Sequence, residues 1–210
     1  MTPRRLHISK IALYRLCLYV RELRRLQGER KRLVSSEELA KACGVSPAQI
    51  RKDLAYFGHF GIKGLGYQVE DLLVALERIL RLNKERRVVL AGVGKLGTAL
   101  LRFWGANHSH YRFVAAFDVR PDRIGRMINR VMIYPLEQMD YVVDQHQAEM
   151  AIITTPPEVA QQVAEDLVRA GIRAILNFAP VTLHLPAKIQ VENVDLTLFL
   201  DMLATQIEED

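Results

Sequence analysis

The chain has 210 residues, half of them hydrophobic and a quarter charged, which is typical of a globular protein and excludes a disordered chain. No apolar run approaches the roughly 20 residues of a membrane span, no signal peptide follows the basic N-terminus, and the cysteines form no disulfide or metal motif, so we expect a cytoplasmic protein without a membrane segment or a metal. The net charge of +5 is uneven, because residues 1–84 hold 17 Lys and Arg against 8 Asp and Glu, whereas residues 85–210 hold 12 against 16. The basic part favours a polyanion, such as nucleic acid or an anionic membrane surface, although a solvated basic surface has the same charge.

The first predicted element is an amphipathic helix from about Ser9 to Gln27. Its apolar residues recur at the three- and four-residue spacing of one helix face, and arginines occupy the other face. Gly28 is expected to end this helix. The polar stretch that follows, up to Arg32, is expected to be a loop.

Two capping-box patterns then predict a helix-turn-helix. The patterns are Ser35–Glu38 and Ser46–Gln49, each with a hydroxyl three residues before a Glu or Gln. A short helix between them ends at the Gly44 turn, and a second helix runs from about Pro47 to Phe57. In a helix-turn-helix the second helix enters the major groove of DNA with its N-terminal residues nearest the bases.

The glycine-rich stretch Gly58–Tyr67 predicts a hairpin directly after this helix, which is the wing of a winged helix. Lys63 at its tip could reach phosphate or a minor groove, and an amphipathic helix from Glu70 to Leu82 closes a domain of residues 1–84. The alternative is a helical module that binds protein. The candidate DNA-binding residues are Ser46, Gln49, Arg51, Lys52, Tyr56 and Lys63.

A nucleotide-binding pattern follows the short apolar strand Arg87–Ala91. The loop Gly92–Gly97 has the form G-x-G-x-x-G and opens a helix, which is where a dinucleotide fingerprint must lie. Gly92 would make the tight turn, Gly94 would let a pyrophosphate approach the backbone, and Gly97 would let the helix pack on the strand. The N–H groups and the partial positive charge of the helix N-terminus suit phosphates.

Asp118 is the candidate ribose-binding acid. It ends the next predicted strand, 21 residues beyond Gly97, and a carboxylate there accepts hydrogen bonds from the ribose hydroxyls and repels a 2′-phosphate. This favours NAD over NADP, although Arg120 could accommodate that phosphate. The alternative for Asp118 is a cap or turn residue.

Alternating strands and helices over residues 85–193 predict a Rossmann-type, doubly wound parallel sheet, so the whole chain belongs to the α/β class. The later elements are a helix at 136–146, a strand at 150–154, a helix at 158–170 and strands at 173–178 and 189–192. Ligands bind at the carboxyl ends of such strands, although Pro156 and Pro180 could equally be loop residues. The candidate cofactor-binding residues are Gly92, Val93, Gly94, Lys95, Leu96, Gly97, Asp118, Val119, Thr154, Thr155, Pro156, Asn177, Ala179 and Pro180.

The sheet uses nearly all of the second part and leaves no length for a catalytic substrate domain. The six histidines form no metal cluster and no pair with an acid at a telling spacing, so we predict no catalytic residue and a sensor rather than an enzyme. The alternatives are a small NAD-dependent oxidoreductase with a helical appendage and a nucleotide-binding interaction module. An apolar helix within 194–210 should be covered, either by its own sheet or by a second subunit, and we favour a homodimer.

The chain resembles the Rex family of redox-sensing transcriptional repressors along nearly its full length. The resemblance is carried by Ser46–Tyr67, by the Gly92–Gly97 loop with Phe117-Asp118-Val119, by Asn177-Phe178-Ala179-Pro180 and by Val191-Glu192-Asn193-Val194-Asp195. It implies a homodimer with domain-swapped C-terminal helices that binds palindromic operator DNA when NADH is low relative to NAD⁺ and releases it when NADH binds.

The resemblance also implies a switch pair. Arg15 matches an arginine of the first helix and Asp195 matches an aspartate of the closing motif, and in the family these two are thought to interact differently in the two redox states. The residues themselves also allow Asp195 to be a helix cap. This chain departs from some members at Phe103, where they carry tyrosine, and at Leu196, where they carry a phenylalanine that contacts nicotinamide.

Overall fold

A computed structural model describes residues 8–62, 64–104 and 110–207. The chain divides into two compact units, Met1–Asn83 and Lys84–Asp210. The division lies one residue before the junction expected from the sequence. Each unit has its own apolar core and is described by itself.

The first unit is a winged helix, as predicted. Its three strands form an antiparallel sheet in the order β1-β3-β2, and the wing is the β2–β3 hairpin. The helices bury one apolar core in which Leu16, Tyr19, Leu39, Ile50 and Leu76 have no exposed surface. Its elements are α1 (Lys10–Gly28), β1 (Leu33–Val34), α2 (Ser36–Cys43), α3 (Pro47–Ala55), β2 (Gly61–Ile62), β3 (Gly66–Gln68) and α4 (Val69–Leu80).

The local start signals were mostly correct. Ser35 and Glu38 form a complete capping box, and Gly44 ends α2 in the left-handed conformation at φ 67°. The prediction of the second capping box is correct for Ser46 and wrong for Gln49. The Ser46 hydroxyl accepts from the backbone N–H of Gln49, but the Gln49 side chain donates to Asp53 instead of reaching back.

The second unit is a Rossmann-type sheet, as predicted. Its strand order is β10-β9-β8-β4-β5-β7-β6, and β6 is antiparallel to β7. Without β6, and counted from β7 to β10, the remaining six strands have the 3-2-1-4-5-6 order of a dinucleotide-binding fold. Its elements are β4 (Arg86–Ala91), α5 (Lys95–Trp104), β5 (Tyr111–Asp118), β6 (Met127–Ile128), β7 (Val131–Pro135), a 3-10 turn (Leu136–Gln138), α6 (Met139–His146), β8 (Met150–Ile153), α7 (Pro157–Arg169), β9 (Ala174–Asn177), β10 (Gln190–Asn193) and α8 (Leu196–Ala204).

The two faces of this sheet are covered unequally. Alternate residues of each strand point to opposite faces, and α6 and α7 pack with one set, which includes Val89, Phe117 and Ile153. The other set packs against α5, and α6 and α7 leave it uncovered because they lie on the opposite face. An apolar groove of about 400 Å³ therefore stays open on that face, over β8, β9 and β10.

Helix α8 buries none of its residues within the chain. Its large apolar side chains, including Leu196, Phe199 and Leu203, are 57–67% exposed. A helix this apolar is stable in water only when its surface is covered. Across the parts of the chain that the structure describes, no helix has the length and apolarity to cross a membrane.

Candidate nucleotide and DNA-binding sites

The loop after β4, Gly92–Gly97, forms a tight glycine cradle with one open side. Gly92 has a φ of +94°, and a Cβ there would lie 2.8 Å from the backbone nitrogen of Thr155. A Cβ on Gly97 would lie 2.1 Å from the Gly92 carbonyl oxygen, so α5 approaches the loop more closely than any side chain permits. A Cβ on Gly94, by contrast, would have no atom within 4 Å. Gly92 and Gly97 thus have the tight turn and the close packing expected of them, and the backbone at Gly94 is open on one side.

Asp118 lies at the end of β5, beside this cradle, and is only 6% exposed. Its carboxylate accepts from the backbone N–H groups of Val93 and Arg120 at 2.8 and 2.9 Å, and from the Arg123 guanidinium at 2.8 Å. Burial acts to raise the pKa of Asp118, but these three hydrogen bonds outweigh it and hold the pKa below its ordinary value. The side chain is therefore a fixed anion that joins the glycine loop to the loop after β5.

The guanidinium that pairs with Asp118 belongs to Arg123, whereas the sequence analysis considered only Arg120, as a residue that could accommodate a 2′-phosphate. Arg120 turns away and forms a two-point ion pair with Asp122, with both distances 2.9 Å. Arg123, five residues after Asp118, makes the contact. The sequence pattern did not indicate Arg123, because nothing in its spacing separates it from other surface arginines.

The threonines after β8 have different surroundings. The Thr154 hydroxyl donates to the Gly92 carbonyl at 2.6 Å and so fixes the turn of the cradle. The Thr155 hydroxyl oxygen is buried and has no hydrogen-bond partner within the described chain. Buried hydroxyls are normally satisfied, so Thr155 is suited to a ligand that brings its own polar group.

Asn177 ends β9, and its side chain has no exposed surface. The amide nitrogen donates to oxygens of Ala179, Val181 and Asn193, and the amide oxygen accepts from the backbone N–H of Ala179. The side chain is thus fully used inside the protein.

The remaining predicted cofactor residues lie along the same carboxyl edge. Val93 is buried and donates its backbone N–H to Asp118, while Lys95 and Leu96 are exposed at the start of α5. Val119 is 69% exposed beyond β5. Pro156 precedes α7, Ala179 is buried and Pro180 is exposed.

Helix α3 presents the predicted DNA-binding residues at its exposed surface. Ser46 caps its N-terminus, and Arg51, Lys52 and Tyr56 are exposed. Arg51 also lies 3.4 Å from Glu37 of α2, an exposed contact that DNA phosphates could replace. Lys63, at the predicted tip of the wing, lies outside the described residues.

Asp53 forms a cluster that the sequence analysis missed. Its carboxylate, 8% exposed, accepts from Arg15 at 2.6 and 2.8 Å, from the Tyr19 hydroxyl at 2.8 Å and from the Gln49 amide at 2.6 Å. Burial opposes the charge, but hydrogen bonds from Arg15, Tyr19 and Gln49 hold the pKa of Asp53 below its ordinary value. The cluster ties α1 to α3 and holds the Gln49 amide against the protein.

The two predicted switch residues have separate partners in this structure. Arg15 pairs with Asp53, and Asp195 accepts from the backbone N–H of Thr197 at 2.9 Å, which caps α8. Within the described ranges, no group of three or more His, Cys, Asp or Glu residues is placed to hold a metal ion.

Comparison with known proteins finds matches that cover both units. A model described as "CoA binding domain" matches residues 83–181, and one described as "Putative DNA-binding protein N-terminus" matches residues 7–55. The redox-sensing transcriptional repressor Rex of Syntrophobacter fumaroxidans is 46% identical over 198 residues, which cover 94% of each chain. The chain belongs to the Rex family. Rex of Pelotomaculum thermopropionicum is 43% identical over 94% of this chain and 93% of its own.

Solved Rex-family structures have the same fold. The structure of RSP in complex with β-NAD⁺ and operator DNA has a TM-score of 0.87 at 35% identity and covers 95% of this chain and 92% of its own. RSP in complex with β-NADH has a TM-score of 0.84 at 33% identity, covering 95% and 94%. Members of the family are transcriptional repressors, and these comparisons do not support the oxidoreductase alternative.

Proposed function

We propose that this Rex-family protein binds operator DNA when NADH is scarce and leaves it when NADH binds, so that it senses the NADH/NAD⁺ ratio. The observation that carries the proposal is the presence, in one chain, of an exposed basic recognition helix and a glycine cradle with a fixed carboxylate beside it. RSP, at 35% identity, was crystallised with both operator DNA and β-NAD⁺. The protein acts by binding rather than catalysis, and acts in the cytoplasm, where operator DNA is found.

The cofactor is NAD(H), and not coenzyme A or NADP(H). Gly94 leaves the backbone open to a pyrophosphate, and Gly92 and Gly97 permit the close packing that shapes the loop. The buried Asp118 anion accepts from ribose hydroxyls and repels a 2′-phosphate. Coenzyme A is considered because the description of the matching family model names it. Arg120, the arginine nearest to Asp118 in the sequence, already has a counter-charge in Asp122 and therefore does not need a 2′-phosphate.

DNA contact is assigned to the exposed surface of α3 and to the wing. Arg51 and Lys52 supply charge for phosphates or base edges, and Ser46 and Tyr56 supply hydroxyl groups. Lys63 is proposed as the wing contact. Gln49 is held by Asp53, so it contributes by fixing the helix unless DNA draws its amide away.

The functional unit is a homodimer built through α8. The helix is apolar and uncovered, and the same unit has an apolar groove lined by Trp104, Phe113, Met150, Ile152 and Leu176. Two copies can therefore cover each other's apolar surfaces, with residues 194–210 as the dimerisation segment. Two-fold symmetry also matches a palindromic operator.

Arg15 and Asp195 are proposed as the switch pair. Each has a partner that it would have to leave to form this pair, Asp53 for Arg15 and the N-terminus of α8 for Asp195. A ligand shifts an equilibrium only by its different affinity for the two states. Arg15→Ala and Asp195→Ala should each leave NADH and DNA binding measurable while NADH loses its ability to release DNA, and a variant that responds like the wild type removes that residue from the switch.

A labelled palindromic operator fragment tests the proposed function directly. Fluorescence anisotropy should show binding without nucleotide, persistence of binding in NAD⁺, and release as NADH is titrated. Coenzyme A and NADPH serve as matched ligands that should not release the fragment at the same concentrations. Retention of DNA in saturating NADH would contradict the proposal.

A further inference from the structure

The side-chain amide nitrogen of Asn177 has more hydrogen-bond acceptors around it than it has hydrogens to donate. Its nitrogen lies 3.0 Å from each of three oxygens, the carbonyls of Ala179 and Val181 and the Oδ1 of Asn193. A primary amide nitrogen carries two hydrogens. The three acceptors therefore compete, and a gain for one of them is a loss for another.

Two of these acceptors belong to the nucleotide-binding edge. Ala179 and Val181 lie in the loop after β9, and that loop is joined to the neighbouring strand by the hydrogen bond from Phe178 N–H to the Ile153 carbonyl at 2.9 Å. Thr155, with its unpartnered buried hydroxyl, follows that strand two residues later. A ligand at this edge that attracts or displaces the 178–181 loop changes the acceptors available to Asn177.

The third acceptor leads to α8. Asn193 is the last residue of β10 and is paired in register with Asn177, and the next N–H, that of Val194, donates to the Asn177 carbonyl at 2.8 Å. Asp195, which caps α8, comes immediately afterwards. Asn193 is exposed, whereas Ala179 is buried, so water can replace the bond to Asn193 most readily.

We propose that Asn193 is a positioning residue that passes the state of the 178–181 loop to α8 through its hydrogen bond from Asn177. The inference deepens the proposed function and rests on it. When ligand contacts take up a carbonyl of the loop, an Asn177 hydrogen is released to Asn193 and fixes the start of α8. When the loop reclaims that hydrogen, the segment between β10 and α8 is less constrained.

The test uses the full chain with Asn193→Ala and Asn193→Asp, and with Lys188→Ala as an exposed control just before β10. For each variant, NADH affinity, operator affinity and the factor by which saturating NADH weakens operator binding are measured separately. Asn193→Ala should keep both affinities within about twofold while that factor falls by about tenfold, inside the usual range of allosteric coupling. Asn193→Asp keeps an acceptor oxygen and should keep the factor, as should Lys188→Ala.

The outcomes separate this inference from the proposed function. A wild type whose operator binding is insensitive to NADH overturns the proposed function itself. A responsive wild type with an equally responsive Asn193→Ala overturns only the inference. Loss of dimer or of NADH binding in Asn193→Ala, or loss of coupling in Asn193→Asp, also overturns it, because Asn193 would then be structural or would act through something other than its acceptor oxygen.

Discussion

Two buried aspartates, one in each unit, hold their surroundings in different ways. Among the described residues, Asp53 accepts only from side chains, carried by α1 and α3, whereas Asp118 accepts from two backbone N–H groups and one arginine. Side-chain donors join helices whose backbones are already formed, while backbone donors set the path of the loops themselves. Asp53 is thus a clamp between helices, and Asp118 fixes two loops at the carboxyl edge of the sheet.

Replacement of Asp53 should have the largest effect on stability. Asp53→Ala leaves Arg15, whose side chain is 20% exposed, without its counter-charge. Breaking a buried ion pair in this way costs about 3 kcal/mol, which urea unfolding of the variant should show. Glu37→Ala, which removes the exposed contact with Arg51, is the control and should cost less than about 0.5 kcal/mol. Equal stability of Asp53→Ala and wild type would refute the clamp.

Replacement of Lys52, the residue before Asp53, should change DNA binding without a large change in stability. Lys52 is exposed on α3 and belongs to no cluster like that of Asp53. Lys52→Ala should weaken operator binding by about 1–3 kcal/mol if it contacts a base, or weaken binding to all sequences and lower the salt slope by about 1 if it contacts phosphate. Anisotropy over a series of salt concentrations distinguishes these cases. Unchanged affinity and slope would remove Lys52 from the interface.

Asp118→Ala should lower nucleotide affinity in addition to stability, because it also breaks the ion pair with Arg123. The variant loses the ribose acceptor, so NADH affinity should fall by about tenfold, or about 1.4 kcal/mol, and the preference for NADH over NADPH should narrow. Nucleotide fluorescence titration measures both. If the wild type binds NADPH as tightly as NADH, the carboxylate does not select, and Arg120 and Arg123 become the residues to vary.

Acid should weaken both aspartate clusters. The folded-state pKa of each is lowered, so each stabilises the protein above the unfolded value of about 3.9 and loses that contribution as the pH falls through the lower folded value. The stability difference between wild type and Asp53→Ala should therefore be constant near neutral pH and shrink below about pH 4. Urea unfolding at several pH values checks this, and a difference that shrinks above pH 6 would contradict the assignment.

The sequence predicted features that depend on neighbouring residues. The Ser35 capping box, the left-handed Gly44 and the geometry of Gly92 and Gly97 follow from local chemistry, and all were found as expected. The β6–β7 hairpin was missed because its turn uses Asn129 and Arg130 at positive φ without a glycine.

Long-range partners were beyond the sequence patterns. The contact of Arg15 with Asp53 joins residues 38 apart, and no helical or strand period relates them. Asn177 was predicted as a cofactor-binding residue from its position at the strand end, which stays a prediction, and the hydrogen bonds of its side chain to Ala179 and Asn193 were not foreseen. The position of a residue at the end of a strand does not show whether its side chain contacts a ligand or forms hydrogen bonds within the protein.

The central claim is that nucleotide and DNA binding are coupled in one molecule, and linkage makes that coupling reciprocal. The most direct measurement is the affinity for NADH with and without saturating operator DNA, with a scrambled duplex as control. The account predicts that the operator weakens NADH binding by the same factor by which NADH weakens operator binding, while NAD⁺ shows a smaller factor or none. An NADH affinity that is the same with and without operator would contradict it.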